Sequence, residues 1–317
     1  MKQDSPWKEV IAALFKDFLK FFFPEIFKDI DFSKGYVFLD KELHQIIKGS
    51  KTGKRYSDKL VKVYLRDGSE TWLLIHIEIQ GYEEKEFPER MYIYNYRIFD
   101  KFRKNVISLA LLTDDNPKFR PSEYNRTRWG FSAICRFPIV KIIDYRRRLK
   151  ELESDPNPFA IIVRAYLKTL EVSGNVQKKY SWKKRFLLEL YERGMKREIL
   201  LAIFNFIDWI IELPEGLDNE IFEKIKTVEE NKAMSHMILP ERIGHKKGLQ
   251  EGIAKSIPML HDALATIIEI KYGEAGQTLA ARAARIRNLT RLQKLMDDLK
   301  RAQSLSEAEK LFTKEKK

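Results

Sequence analysis

Residues 56–80 read Tyr56-Ser57-Asp58-Lys59-Leu60-Val61-Lys62-Val63-Tyr64-Leu65-Arg66-Asp67-Gly68-Ser69-Glu70-Thr71-Trp72-Leu73-Leu74-Ile75-His76-Ile77-Glu78-Ile79-Gln80. Two β-rich runs, Lys59–Leu65 and Thr71–Gln80, flank Arg66-Asp67-Gly68-Ser69. This predicts a hairpin, because a turn containing Asp-Gly supplies the positive φ that a tight reversal needs. Side chains alternate between faces along a strand. Leu73, Ile75, Ile77 and Ile79 therefore form one aliphatic face made for a core, while Leu74, His76, Glu78 and Gln80 share the other. A carboxylate so close to the end of a core strand is unusual. It stands where an open site would begin.

The register follows from the turn. Asp58 lies opposite Glu78 if paired residue numbers sum to 136, which requires a three-residue loop, Asp67-Gly68-Ser69, or another loop of odd length. A two-residue Asp-Gly turn would put Ser57 there instead.

Working outward, Trp7–Phe23 is predicted to be an amphipathic helix, with Val10, Ile11, Leu14, Phe15, Phe18, Leu19 and Phe22 at helical spacing. Pro24 is its expected stop. Asp40–Lys48 is either a short helix or the lead-in to the first strand. Glu86–Lys104 reads as a helix with Arg90, Tyr94 and Arg97 along one side, a side either solvated or turned toward phosphate. Val106–Leu112 is a nearly continuous apolar run and reads as a buried strand; Phe137–Ile143 is a further strand. From Pro156 the pattern turns helical: Pro158–Thr169, Trp182–Gly194, Lys196–Leu213 and Glu220–Ala233. A glycine-bearing segment, Glu241–Gly252, precedes two further helical stretches, Ile257–Tyr272 and Leu289–Gln303.

The expected architecture is an α/β core over residues 1–150, a helical extension over 151–240, and a helical C-terminal appendage over 241–317. Leu260, Leu264, Ile267, Ile268 and Tyr272 form an apolar stripe in the appendage, suited to internal packing or to joining copies of the chain.

Of the 317 residues, 59 are Lys or Arg against 46 Asp or Glu, a formal net charge of +13 that attracts polyanions, nucleic acid first. One cysteine, Cys135, excludes an intramolecular disulfide and fits a reducing cytoplasm. Neither a secretory signal nor a spanning segment is expected, because the most apolar early stretch, Phe18–Phe27, carries Lys20, Pro24 and Glu25. A membrane-surface role would want a basic amphipathic helix with an aromatic face, and none stands out. Phosphate-loop, dinucleotide-fingerprint, His-Glu-x-x-His and Cys-x-x-Cys motifs are all missing.

Tyr56–Val63 and Leu73–Gln80 together resemble the signature of the recombination-promoting (Rpn/YhgA-like, transposase-labelled) branch of the PD-(D/E)XK nuclease superfamily. The flanks Phe38–Leu43, Glu89–Arg97 and Leu111–Asp115 agree with it, and the similarity spans roughly residues 5–240. The resemblance implies a restriction-endonuclease-like core, with a mixed central sheet flanked by helices. It also implies a Mg²⁺-dependent DNA endonuclease, Mn²⁺ being an alternative metal, that acts on DNA breakage or recombination. Phosphodiester hydrolysis builds charge on an already anionic phosphate, and a carboxylate-held Mg²⁺ offsets that charge while activating water. Asp58 and Glu78 would bind the metal. Gln80 holds the position usually occupied by Lys, and this branch commonly carries Gln there. Because Gln brings no positive charge, Lys59 or Lys62 would supply it, Lys62 being favoured by strand parity. The superfamily often adds a Glu from the first helix; Glu9 is the candidate and Glu42 the runner-up.

Lys51, Lys54 and Arg55, in a Gly49- and Gly53-containing loop just before Asp58, together with Arg90 and Arg97, are candidates for DNA contact. Arg146–Arg148 and Lys178–Arg185 are further basic stretches whose ordinary reading is a solvated surface. Singly, Asp58 and Glu78 would read as a strand cap and a strand-end salt bridge. Their hairpin context favours a site. A DNA-binding or assembly module that keeps the fold without its catalysis is the alternative, and Gln80 is its best support.

Overall fold

In the computed structural model, Lys59–Val63 (β2) pairs antiparallel with Leu73–Gln80 (β3), with Lys59 opposite Ile77 and Val63 opposite Leu73. These pairs sum to 136, the expected parity. Gly68 has φ 69°, as the turn requires. The structure describes residues 4–47, 59–68, 73–231, 257–286, 288–302 and 304–313.

β2 and β3 belong to a mixed five-stranded sheet of order β1-β2-β3-β4-β7, where β1 is Val37–Phe38, β4 Val106–Leu112 and β7 Ile139–Lys141. β1–β2–β3 are antiparallel; β3–β4 and β4–β7 are parallel. Parallel strands need covered faces, which explains why β4 is nearly all apolar and why β3 is buried from Leu74 to Gln80.

The helix expected over Trp7–Phe23 is two: α1 (Asp4–Ala13) and α2 (Phe15–Phe22), broken where Leu14 takes φ −124° and ψ 37°. Each half buries its own apolar stripe, and Pro24 opens a further helix, α3 (Pro24–Asp29). Asp40–Ile47 forms α4. The crossover from β3 to β4 is α5 (Phe87–Phe102), which packs on α4 and β4. Between β4 and β7 the chain makes a separate two-stranded ribbon, β5 (Glu123–Arg128) with β6 (Phe131–Arg136), which sequence patterning gave no sign of. The strand expected over Phe137–Ile143 is shorter, because Ile142–Arg148 turns into a 3₁₀ helix.

Five helices follow: α6 (Leu149–Ser154), α7 (Pro158–Glu171), α8 (Val176–Glu192), α9 (Arg197–Ile210) and α10 (Glu215–Asn231). α7 is buried on every side from Pro158 to Leu167, as befits a central helix. Its one buried charge, Arg164, donates to Glu189 at 2.7 Å. α1 lies against α9 and β3, with Trp7 edge-on to Tyr166 (5.3 Å) and Phe206 (4.9 Å).

The chain divides into two compact units, Met1–His236 and Met237–Lys317. In the second, a helix over 257–272 (α11) is followed by α12 (Gln277–Ala283), α13 (Leu289–Arg301) and α14 (Leu305–Thr313). Leu264 and Ile268 are buried with Leu279, Leu292, Leu299 and Phe312, and Leu260, Ile267 and Tyr272 pack against them. The apolar stripe is thus spent on the unit's own core. The glycine-bearing segment 241–252 lies outside the described residues. Among the described residues, no helix is long and apolar enough to cross a membrane.

Candidate functional site

β3 carries Glu78 and Gln80 toward its C-terminal end, beside Ala110 and Leu112 of β4. The polar face of β3 is covered by α5. That helix buries Phe87, Arg90, Met91, Tyr94 and Ile98, a stripe at helical spacing with one charge in it. The strand end expected to open to solvent is closed: Glu78 is 1% exposed and Gln80 2%.

Arg90 is the centre of the cluster. Its Nη2 donates to Glu78 Oε1 at 2.8 Å and to Gln80 Oε1 at 2.7 Å, and its Nη1 donates to Glu84 Oε2. Gln80 Nε2 donates to the Tyr82 carbonyl at 2.7 Å and to Glu84 Oε2 at 3.3 Å, so both ends of the amide are engaged. Burial opposes the Arg90 charge, but Glu78 and Glu84 outweigh it and hold the guanidinium firmly protonated. Arg90 was expected on a solvated or phosphate-facing side of its helix. It is instead 3% exposed, because it sits in the apolar stripe and meets a buried carboxylate.

His76, fully buried, lies between Glu78 and Ser108. Its Nδ1 is 3.2 Å from Ser108 Oγ and its Nε2 is 3.7 Å from Glu78 Oε2. Asn95 Nδ2 donates to Ser108 Oγ at 3.1 Å, which leaves the hydroxyl proton for His76 Nδ1 and turns an Nε2–H toward Glu78. Burial pushes His76 down to about 4 against the attraction of Glu78, with Arg90 adding to the fall. Three buried atoms in this cluster make no hydrogen bond: His76 Nε2, Glu78 Oε2 and Arg90 Nε.

The other expected residues fall elsewhere. Asp58, Lys51, Lys54 and Arg55 lie outside the described residues. Lys62 pairs with Leu74, four residues or roughly 13 Å along β3 from Glu78, and its Nζ lies over the Tyr64 ring at 5.4 Å. It does not charge the site. Lys59 is on the opposite face and binds Asp40 at 2.6 Å. Glu9 is exposed and lines a groove between α1 and α9 with Arg197 and Trp209, apart from the Glu78 cluster. Glu42 is half-buried on α4. Arg97 reaches the Ile46 carbonyl at the end of α4 (3.5 Å). Lys183, within one basic stretch, is buried between Asp208 (2.7 Å) and Asp218 (2.8 Å).

Glu84 was missed, as was a second buried pair at the neighbouring strand ends. There Lys141 Nζ holds both oxygens of Asp114 at 2.6 Å and the Phe119 carbonyl at 3.1 Å. The signal for Arg90 was in its spacing with Phe87, Met91 and Tyr94. Among the described residues no group of three or more His, Cys, Asp or Glu is gathered as for a metal ion. Comparison with protein-family models, with curated proteins and with solved structures gives no match to this chain.

Proposed function

We propose that this chain is a Mg²⁺-dependent DNA endonuclease with a restriction-endonuclease-like core, centred on Glu78, Gln80 and Arg90 and working in the cytoplasm. The observation that carries the reading is the Arg90 guanidinium bridging Glu78 and Gln80 at 2.8 and 2.7 Å. The nuclease pattern wants a cation where this sequence has Gln80. Arg90 supplies one from the adjacent helix, beside the carboxylate that the same pattern assigns to the metal.

Glu78 fits a hard cation through one oxygen, the buried Oε2 that no group hydrogen-bonds. The second carboxylate would be Asp58, one residue before Lys59 in the sequence and outside the described residues. A metal held there would polarise a phosphate and activate a water. Arg90 would neutralise charge on the phosphate, Gln80 would hold Arg90 in place, and α5 would exclude bulk solvent from the pair.

A second reading, a DNA-binding or assembly module without catalysis, draws on the same bridge. Glu78 Oε1 is already neutralised by Arg90, and a second positive charge nearby weighs against a cation. Plasmid cleavage separates the two. Supercoiled DNA is incubated with Mg²⁺, Mn²⁺ or EDTA and with wild type, Asp58→Ala and Glu78→Gln, the fold being checked by circular dichroism. Metal-dependent nicking that both substitutions abolish is expected. A folded wild type that binds DNA and cuts with neither metal sinks the nuclease and leaves the binding module.

A further inference from the structure

We propose that the β5–β6 ribbon is a DNA-binding arm that enters a duplex groove with Arg126, Arg128, Trp129 and Phe131. This rests on DNA being the partner of the chain, and not on cleavage.

The base of the ribbon is anchored. Tyr124 stacks on Tyr92 of α5, with ring centroids 4.7 Å apart and planes 12° from parallel. Cys135 packs against the cluster of Phe87, Met91 and Phe137. Beyond that base every residue from Asn125 to Ser132 is exposed.

The tip is unusual in its chemistry. Trp129 has φ 50° and Gly130 φ 82°, so both central residues of the two-residue turn are left-handed, as in a type I′ hairpin. Asn or Asp before Gly suits that turn, whereas a bulky aromatic residue with positive φ is strained. The indole is also 91% exposed. Local conformation does not account for a tryptophan there. Strain kept at an exposed position points to a contact outside the chain.

Charge says what kind of contact. The Arg128 guanidinium lies 4.2 Å from the Trp129 ring. Arg126 is paired across the ribbon with Ala133, and Arg128 with Phe131, so both arginines and Phe131 share one face. No acidic residue lies between Asn125 and Ala133. Glu123, at the base, is held by Arg136 at 2.5 Å. Arginines for phosphate beside an aromatic wedge are a nucleic-acid footprint. The dimensions agree: strands about 4.8 Å apart fit, with their side chains, a major groove about 12 Å wide. Tyr92, which anchors the arm, is on the same helix as Arg90, so arm and candidate centre share one support.

The test uses the full chain and a short labelled duplex, with anisotropy read in EDTA over a salt series. Wild type is compared with Trp129→Asn and with Arg126→Ser combined with Arg128→Ser. Asn accepts the positive φ before Gly, so the turn is retained, and thermal unfolding checks it. Trp129→Asn is expected to weaken duplex binding about tenfold. The double arginine variant should flatten the slope of log affinity against log salt by about two. Equal affinity and equal slope in all three proteins overturn the arm and leave the DNA reading standing. A wild type that does not bind the duplex overturns both. If Trp129→Asn instead loses retention on phosphatidylserine vesicles while duplex binding is untouched, the ribbon belongs to a membrane and the proposal fails.

Discussion

Arg90 Nη2 and Glu78 Oε1 meet at 2.8 Å with both side chains only 2% exposed. A buried pair of this kind adds little over a well-packed apolar pair, but removing one partner strands the other charge away from water. Arg90→Met should therefore cost about 3–5 kcal/mol of folding stability. Adding Glu78→Met should recover part of that loss, because the buried Glu78 carboxylate is gone while Glu84, 14% exposed, still lacks its arginine. Urea unfolding of the two single variants and the double variant measures the coupling. Additive losses would mean that the two groups do not hold each other.

The histidine beside this pair gives a pH signature. An unfolded imidazole takes its proton near 6.5, but burial keeps His76 neutral in the folded chain down to about 4, Glu78 opposing the shift and Arg90 reinforcing it. The folded pKa is depressed, so the stability associated with neutral His76 is fully present above pH 6.5. It is lost as pH falls from 6.5 toward 4, where only the unfolded chain gains the proton. The full effect is about 3 kcal/mol. His76→Gln should flatten that part of the stability–pH curve. Wild-type and variant curves of equal slope between those two pH values would exclude a buried neutral histidine.

What was legible in the sequence was local or periodic. Val106–Leu112 reads as a strand because a parallel strand covered on both faces is nearly all apolar, Ser108 being the one exception here. The hairpin parity followed from the turn and from the aliphatic face of β3. The ribbon escaped for the opposite reason: with both faces exposed it has no apolar alternation, and its reversal is Trp-Gly, not Asn-Gly. Arg90 lay in the correct stripe, but its charge suggested solvent, and only the pairing of α5 with β3 brings Glu78 to it. The break at Leu14 has no composition signal, since no Gly or Pro lies within Trp7–Phe23.

Lys183 tests the same nonlocal logic in the helical extension. Its ammonium is 0% exposed and lies between Asp208 of α9 and Asp218 of α10, so one cation ties three helices. Lys183→Ala leaves the carboxylates facing each other and a cavity where the stem packed. A loss of about 3–5 kcal/mol is expected, against less than about 1 kcal/mol for the exposed neighbour Lys178→Ala. Chemical denaturation of both variants makes the comparison, and equal losses would show that the basic run is solvated throughout.

Gly276 poses a steric question in the C-terminal unit. It is buried between the end of α11 and the start of α12, and a Cβ placed on it would come within 2.5 Å of Ile268 Cγ2 and 3.3 Å of the Ile268 carbonyl oxygen. The methyl group at 2.5 Å belongs to a short β-branched side chain that is itself 1% exposed, in the core with Leu264 and Leu279. It cannot swing aside without displacing that core. Overpacking of this kind costs about 1–3 kcal/mol, more than alanine's helix propensity returns. Gly276→Ala should lower the thermal stability of this unit by about 4–8 °C for each kcal/mol lost. The unit that carries Glu78 and Arg90 should keep its stability, so amide exchange resolved by peptide should show lost protection over 257–313 and none over β3 and α5. Unchanged protection in the C-terminal helices would mean that α11 and α12 do not approach as closely at Ile268 as the structure has them.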